Sequence, residues 1–187
     1  MRAWIVVSAL ALAACGARDD APAPIAEAAN LCPASTSSTW AAGAGAVFSI
    51  DAAATGADCA QATATIAIHA PGGAVVWSQS YPAAHVMTLV GASSPEDMQR
   101  RLGEWIVPGG AAADSTGDLA EWNAQDDSPM NGEFPFYPEE GIDRAAYAAL
   151  RARDAPMYCY VQGMESLICL AWDNGALTPV GVQTFPG

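Results

Sequence analysis

Two histidines, His69 and His85, are the side chains here that change charge near neutral pH, so general acid–base chemistry would start from them. Neither lies in His-Glu-x-x-His or another metal-gathering spacing. His69 falls on the polar side of an alternating stretch, where a lone histidine is ordinarily surface. A Ser-His-Asp triad draws its members from distant positions, but no Gly-x-Ser-x-Gly elbow is present to hold a nucleophile. Glu139-Glu140 is an adjacent carboxylate pair. Glycoside hydrolysis needs two carboxylates facing each other across a sugar, whereas adjacent acids before a helix serve its positive end. Asp126-Asp127 and the acids Asp114 to Asp118 lack calcium-loop spacing, and there is no Walker or Gly-x-Gly-x-x-Gly loop. Met87, Met98, Met130, Met157 and Met164 are scattered as gap-filling residues are, not clustered as copper ligands. These patterns nominate no catalytic residue, no metal and no cofactor.

One constellation suits binding. Glu133-Phe134-Pro135-Phe136-Tyr137-Pro138-Glu139-Glu140 sets three aromatics between acids and prolines. Asp114 to Asp143 holds nine acids and no arginine. Phe134, Phe136, Tyr137, Glu139 and Glu140 would form a stiff display loop that meets a partner through rings and charge. The competing reading is a loop laid over a sheet, its rings covering core.

Cys32, Cys59, Cys159 and Cys169 invite disulfides in an exported chain, and four cysteines allow three pairings. No Cys-x-x-Cys occurs, which weakens zinc and thioredoxin-like readings. Cys32–Cys59 would tie the start of the domain to the turn before Thr63. Cys159 and Cys169 flank a hairpin and share a face only if Gln162 pairs with Ser166 around a three-residue loop. A two-residue turn at Gly163-Met164 would put them on opposite faces.

Met1 to Cys15 says where the chain goes. Arg2 precedes an apolar run, Ala3 to Leu12, too short for a stable membrane span, and Leu12-Ala13-Ala14-Cys15 follows. This stretch resembles the lipobox signal peptide of bacterial lipoproteins, and the resemblance covers residues 1–15 only. It implies that residues 1–14 are removed, that Cys15 is lipidated, and that the membrane partner is reached through that lipid. Several acyl chains, as this class carries, make such anchoring stable. Gly16 stands where an aspartate would retain the protein at the inner membrane. The implied location is therefore the periplasmic face of the outer membrane, with inner membrane or cell surface as alternatives. Residues 15–30, rich in Ala and Pro, would be a tether reaching roughly 20 Å as a coil and about 45 Å as polyproline II. Residues 31–187 would form a single domain.

The composition is acidic, with 20 Asp and Glu, 7 Lys and Arg, and a net charge of −13. All seven basic residues are arginine. Such a surface repels phosphates, which excludes nucleic acid as a partner. It suits an envelope component or cationic protein, or is simply a solvated surface. The expected activity is a non-enzymatic binding or structural module of the cell envelope. The alternatives are a periplasmic hydrolase and an acidic inhibitor of a cationic enzyme such as lysozyme, the last resting on charge alone.

Periodicity places the elements. Val47 to Ile50, Thr63 to Ala70 and Ala74 to Tyr81 read as strands, the last two as a hairpin broken at Pro71-Gly72-Gly73. Ser94-Pro95-Glu96-Asp97 opens a helix that runs to Val107 and buries Met98, Leu102, Trp105 and Ile106. Gly109 to Gly141 is irregular, with one helical turn near Asp118 to Trp122. A second helix runs from Asp143 to about Asp154, with Ile142 and Tyr147 as a hydrophobic staple. Met157 to Gln162, Leu167 to Asp173 and Val180 to Phe185 read as strands, with Asn174-Gly175 as a type I′ turn. The fold class is α+β: an antiparallel sheet of about five to six strands with two main helices packed on one face.

Overall fold

A computed structural model describes residues 31–43, 45–107 and 114–185. Cys15, the lipobox and the tether lie outside the described residues. The fold is α+β, as the pattern predicts, but with two antiparallel sheets instead of one. The first has the order β1 (Ala34–Ala41), β2 (Val47–Thr55), β3 (Thr63–His69), β4 (Val75–Pro82). The second has the order β5 (Met130–Asn131), β6 (Phe134–Pro138), β9 (Ala176–Thr184), β8 (Ser166–Asp173), β7 (Met157–Val161).

The two-sheet arrangement follows from β7. Met157 and Cys159 face one core, Tyr158 and Tyr160 the other, and all four are buried. A strand buried on both sides belongs to a middle layer and needs cover on both faces. One face meets the inner side of the first sheet (Phe48, Ile50, Ile66, Ile68) together with α1 (Pro95–Trp105). The other is covered by Tyr147 and Leu150 of α2 (Arg144–Arg153) and by Leu119. α1 therefore packs on β1 and β2 of the first sheet and α2 on the far face of the second, not together on one face of a single sheet.

Both helices start as predicted. Ser94 Oγ accepts from Asp97 N at 3.2 Å, and Met98, Leu102, Trp105 and Ile106 are buried. Asp143 caps α2 by accepting from Ala146 N at 2.8 Å, and Ile142 joins Tyr147 in the second core.

Three expectations change. β1 was not legible because its Ser and Thr carry no apolar stripe; only Trp40 is buried, its ring tilted against Phe48 of β2 at 5.0 Å. The helical turn falls at Thr116–Asp118, held by the Ser115–Asp118 capping box, ahead of the predicted Asp118 to Trp122. β9 begins at Ala176 and not at Val180. Pro179 cannot donate to a ladder, and a register shift absorbs it: Leu170 pairs with Pro179 and Cys169 with Gly181, leaving Val180 unmatched.

Candidate functional site

The cysteines form Cys32–Cys59 and Cys159–Cys169. Gln162 N donates to Ser166 O at 3.0 Å, so residues 163–165 make the three-residue loop and Cys159 lies directly opposite Cys169. Cys32 N donates to Gly56 O at 3.1 Å, which brings the first cysteine to the turn that carries the second. Both cystines are buried, a structural placement consistent with an oxidising compartment outside the cytoplasm. No helix among the described residues is long and apolar enough to cross a membrane.

The aromatic-acidic stretch is a strand, not a display loop. β6 pairs with β9, placing Phe136 opposite Gln183, Tyr137 opposite Val182 and Pro138 opposite Gly181. Strand alternation splits the constellation. Phe136 is 1 % exposed and packs 6.0 Å from Tyr147 beneath α2, so it is removed from the partner-contact residues: its ring is core. Gly181 makes room for it, since a Cβ there would strike the Phe136 ring and Tyr137 O. Phe134 is half-buried, while Glu139 and Glu140 are exposed. Tyr137 is 53 % exposed and ends a cross-strand row, Tyr137–Val182–Ile168–Tyr160. That row grades from a fully covered tyrosine at Tyr160 to an open one at Tyr137.

The histidines stand apart. His69 Nε2 is 3.1 Å from Asp51 Oδ2, and its Nδ1 is 3.3 Å from Gly73 O. Ser49 lies directly opposite His69 in the β2–β3 register, yet both ring nitrogens face acceptors other than a hydroxyl. His85 is exposed on the short 3₁₀ helix Ala83–His85. Between the sheets, Tyr160 Oη accepts from Trp77 Nε1 at 3.0 Å and shares a hydrogen with Tyr81 Oη at 3.0 Å. Burial raises the pKa of Tyr158, Tyr160 and Tyr81, so all three stay neutral and act as packing with a polar tip.

A second surface feature was missed from sequence. Residues 119–126 lack regular structure, and α2 satisfies several of their carbonyls. Arg151 Nε donates to Leu119 O at 2.7 Å, Tyr147 Oη to Ala120 O at 2.9 Å, and Arg144 Nη2 to Asp126 O at 2.9 Å. Trp122 Nε1 also donates to Asp126 O, at 3.0 Å. A cleft remains between the segment and the helix, lined by Glu121, Trp122, Asn123, Arg144, Tyr147, Ala148 and Arg151. The available signal was spacing: Arg144, Tyr147, Ala148 and Arg151 fall at i, i+3, i+4 and i+7 on one helix face.

No protein-family model, no curated protein and no solved structure matches the chain.

Proposed function

We propose that the chain is a lipid-anchored binding module of the cell envelope. Cys15 carries the lipid and holds the domain at the periplasmic face of the outer membrane, and the folded part engages a cationic protein partner. The lipobox and the two disulfides support the location, because each suits an exported chain. The observation that carries the binding reading is the exposure of Tyr137 at the open end of an otherwise covered row. Glu133, Glu139 and Glu140 stand exposed on the same strand and its flanks. A tyrosine on a strand is a rigid amphipathic anchor, and surrounding acids speed encounter with a cation in a salt-dependent way.

Two experiments test this reading. Cys15→Ser should yield an unprocessed precursor that takes up no palmitate label; normal maturation would refute the anchor. Tyr137→Ala with Glu139→Gln and Glu140→Gln should abolish capture of the partner from envelope extracts while leaving the fold intact. Undiminished capture would remove the patch from the function.

A further inference from the structure

Arg144 departs from the charge pattern of the rest of the domain. The chain carries 20 acids against 7 arginines, so each arginine has an ample supply of carboxylates. Arg100 bridges Asp97 and Glu104, both at 2.6 Å; Arg101 reaches Asp97 at 3.1 Å; and Arg153 reaches Asp173 at 2.9 Å. Arg151 meets Glu121 only at 3.7 Å, with that glutamate 77 % exposed. Among the described residues, Arg144 is the one arginine with no carboxylate within 4.0 Å. Its guanidinium lies instead 5.2 Å from the centre of the Trp122 ring.

We propose that the cleft between α2 and residues 119–126 binds a small carboxylate carried on a flat apolar body. Arg144 and Arg151 take the carboxylate; Trp122 and Ala148 take up the body, above the buried Tyr147 ring. Each guanidinium has five N–H donors, and one from each is spent on a loop carbonyl, Asp126 O or Leu119 O. The remaining donors sit on side chains already immobilised by those bonds and by the Trp122 stack, which lowers the entropy cost of gripping a ligand. Trp122 is itself held edge-on against Tyr147 at 5.7 Å. The cleft volume is about 170 Å³. The cleft is open to solvent on one side, so it would hold the carboxylate and part of a benzoate-sized ring and would not enclose the whole ligand.

The other charges at the site favour a single carboxylate over a polyanion. Asp126 is engaged by Asn123 Nδ2 at 2.9 Å, and Glu121 stands at the lip. This site is separate from the Tyr137 patch, since β6 and α2 present different surfaces, and it stands or falls independently of the partner proposed above.

Benzoate is the probe. Its titration into the protein is followed at the Trp122 indole N–H by NMR, with the resonance assigned from Trp122→Phe. A saturable shift is expected. Benzamide, which keeps the ring and loses the charge, should bind at least about tenfold more weakly, as should benzoate to Arg144→Gln. Glu121→Gln should tighten benzoate, because it removes the like charge at the lip. Should Arg144→Gln loosen the segment, the benzoate–benzamide comparison on the unaltered protein still decides the matter. The proposal is overturned by no saturable shift with benzoate, by equal affinity for benzamide, or by inorganic phosphate binding as well as benzoate.

Discussion

The two sheets solve the burial problem differently. The first has one covered face and one open face. β2 alternates without a break, with Phe48, Ile50, Ala52 and Ala54 buried between exposed Ser49, Asp51 and Ala53. The second sheet is a middle layer. β7 is buried at four of its five positions, and β8 beside it and β9 beyond also bury residues on both sides. A sheet with a solvent face writes period-two alternation into its sequence, whereas a middle layer writes a short apolar run that does not say which side is which. The stretch nominated for display lies on the second sheet, and the ambiguity was greatest there.

Truncations would probe that contrast most strongly. Phe136→Ala in the second core should cost about 3–5 kcal/mol, and Leu102→Ala in the first about 2–5 kcal/mol, read by denaturant unfolding. A cost near zero for Phe136 would return that ring to the surface and undo the two-sided assignment of β6. Its neighbour sharpens the point: Tyr137→Ala should move stability by no more than about 0.5 kcal/mol.

The cystines give the next effect, one in each region. Cys32–Cys59 closes a separation of 27 residues and Cys159–Cys169 one of 10. Chain entropy alone assigns about 3.5 kcal/mol to the first and about 2.7 kcal/mol to the second. Paired Cys→Ala variants, melted side by side, should rank in that order. Four free thiols in the folded, unreduced protein would contradict both bonds.

The remaining effects come from pH, and the two helices should respond at opposite ends of the scale. On α1, the Arg100 guanidinium, aided by the Ser93 N–H and by Arg101, holds the Asp97 carboxyl down at about 2. Its folded pKa lies below the unfolded one, so its contribution is complete above about pH 4 and fades as pH falls toward 2. On α2, burial pushes Tyr147 up to about 12. The unfolded phenol ionises first, so stability is lost as pH rises from about 10 to 12. Asp97→Asn should make the acid limb shallower and Tyr147→Phe the alkaline one, to which the buried Tyr81, Tyr158 and Tyr160 also contribute, each leaving the other limb unchanged. A crossed result would break the comparison.

The aromatic stretch shows how far sequence carried and where it stopped. Its residue types pointed to both contact and core, and the structure divides the two between adjacent positions. Phe134-Pro135-Phe136-Tyr137-Pro138 contains two residues that cannot donate to a ladder, which argued for a loop. The strand forms nonetheless because Gly181 on β9 leaves space for Phe136, and that pairing joins positions more than forty residues apart. The Arg144 cleft was hidden for a related reason: the segment beside it has no periodicity, and its hydrogen bonds come from α2.

The sequence by itself determined the local features. These were the caps of both helices, the buried stripe of α1, the alternation of β2 and β3, the Asn174-Gly175 turn, the cysteine set, the acidity, and the resemblance at Cys15. All depend on residues within a few turns or one strand of each other, where propensity and period act directly. Tertiary structure decided how many sheets there are, which face each helix covers, the cystine pairing, and which aromatic stays outside. Those outcomes depend on register between distant strands, and a shift of one residue exchanges the two faces. Only the packed chain supplies that constraint.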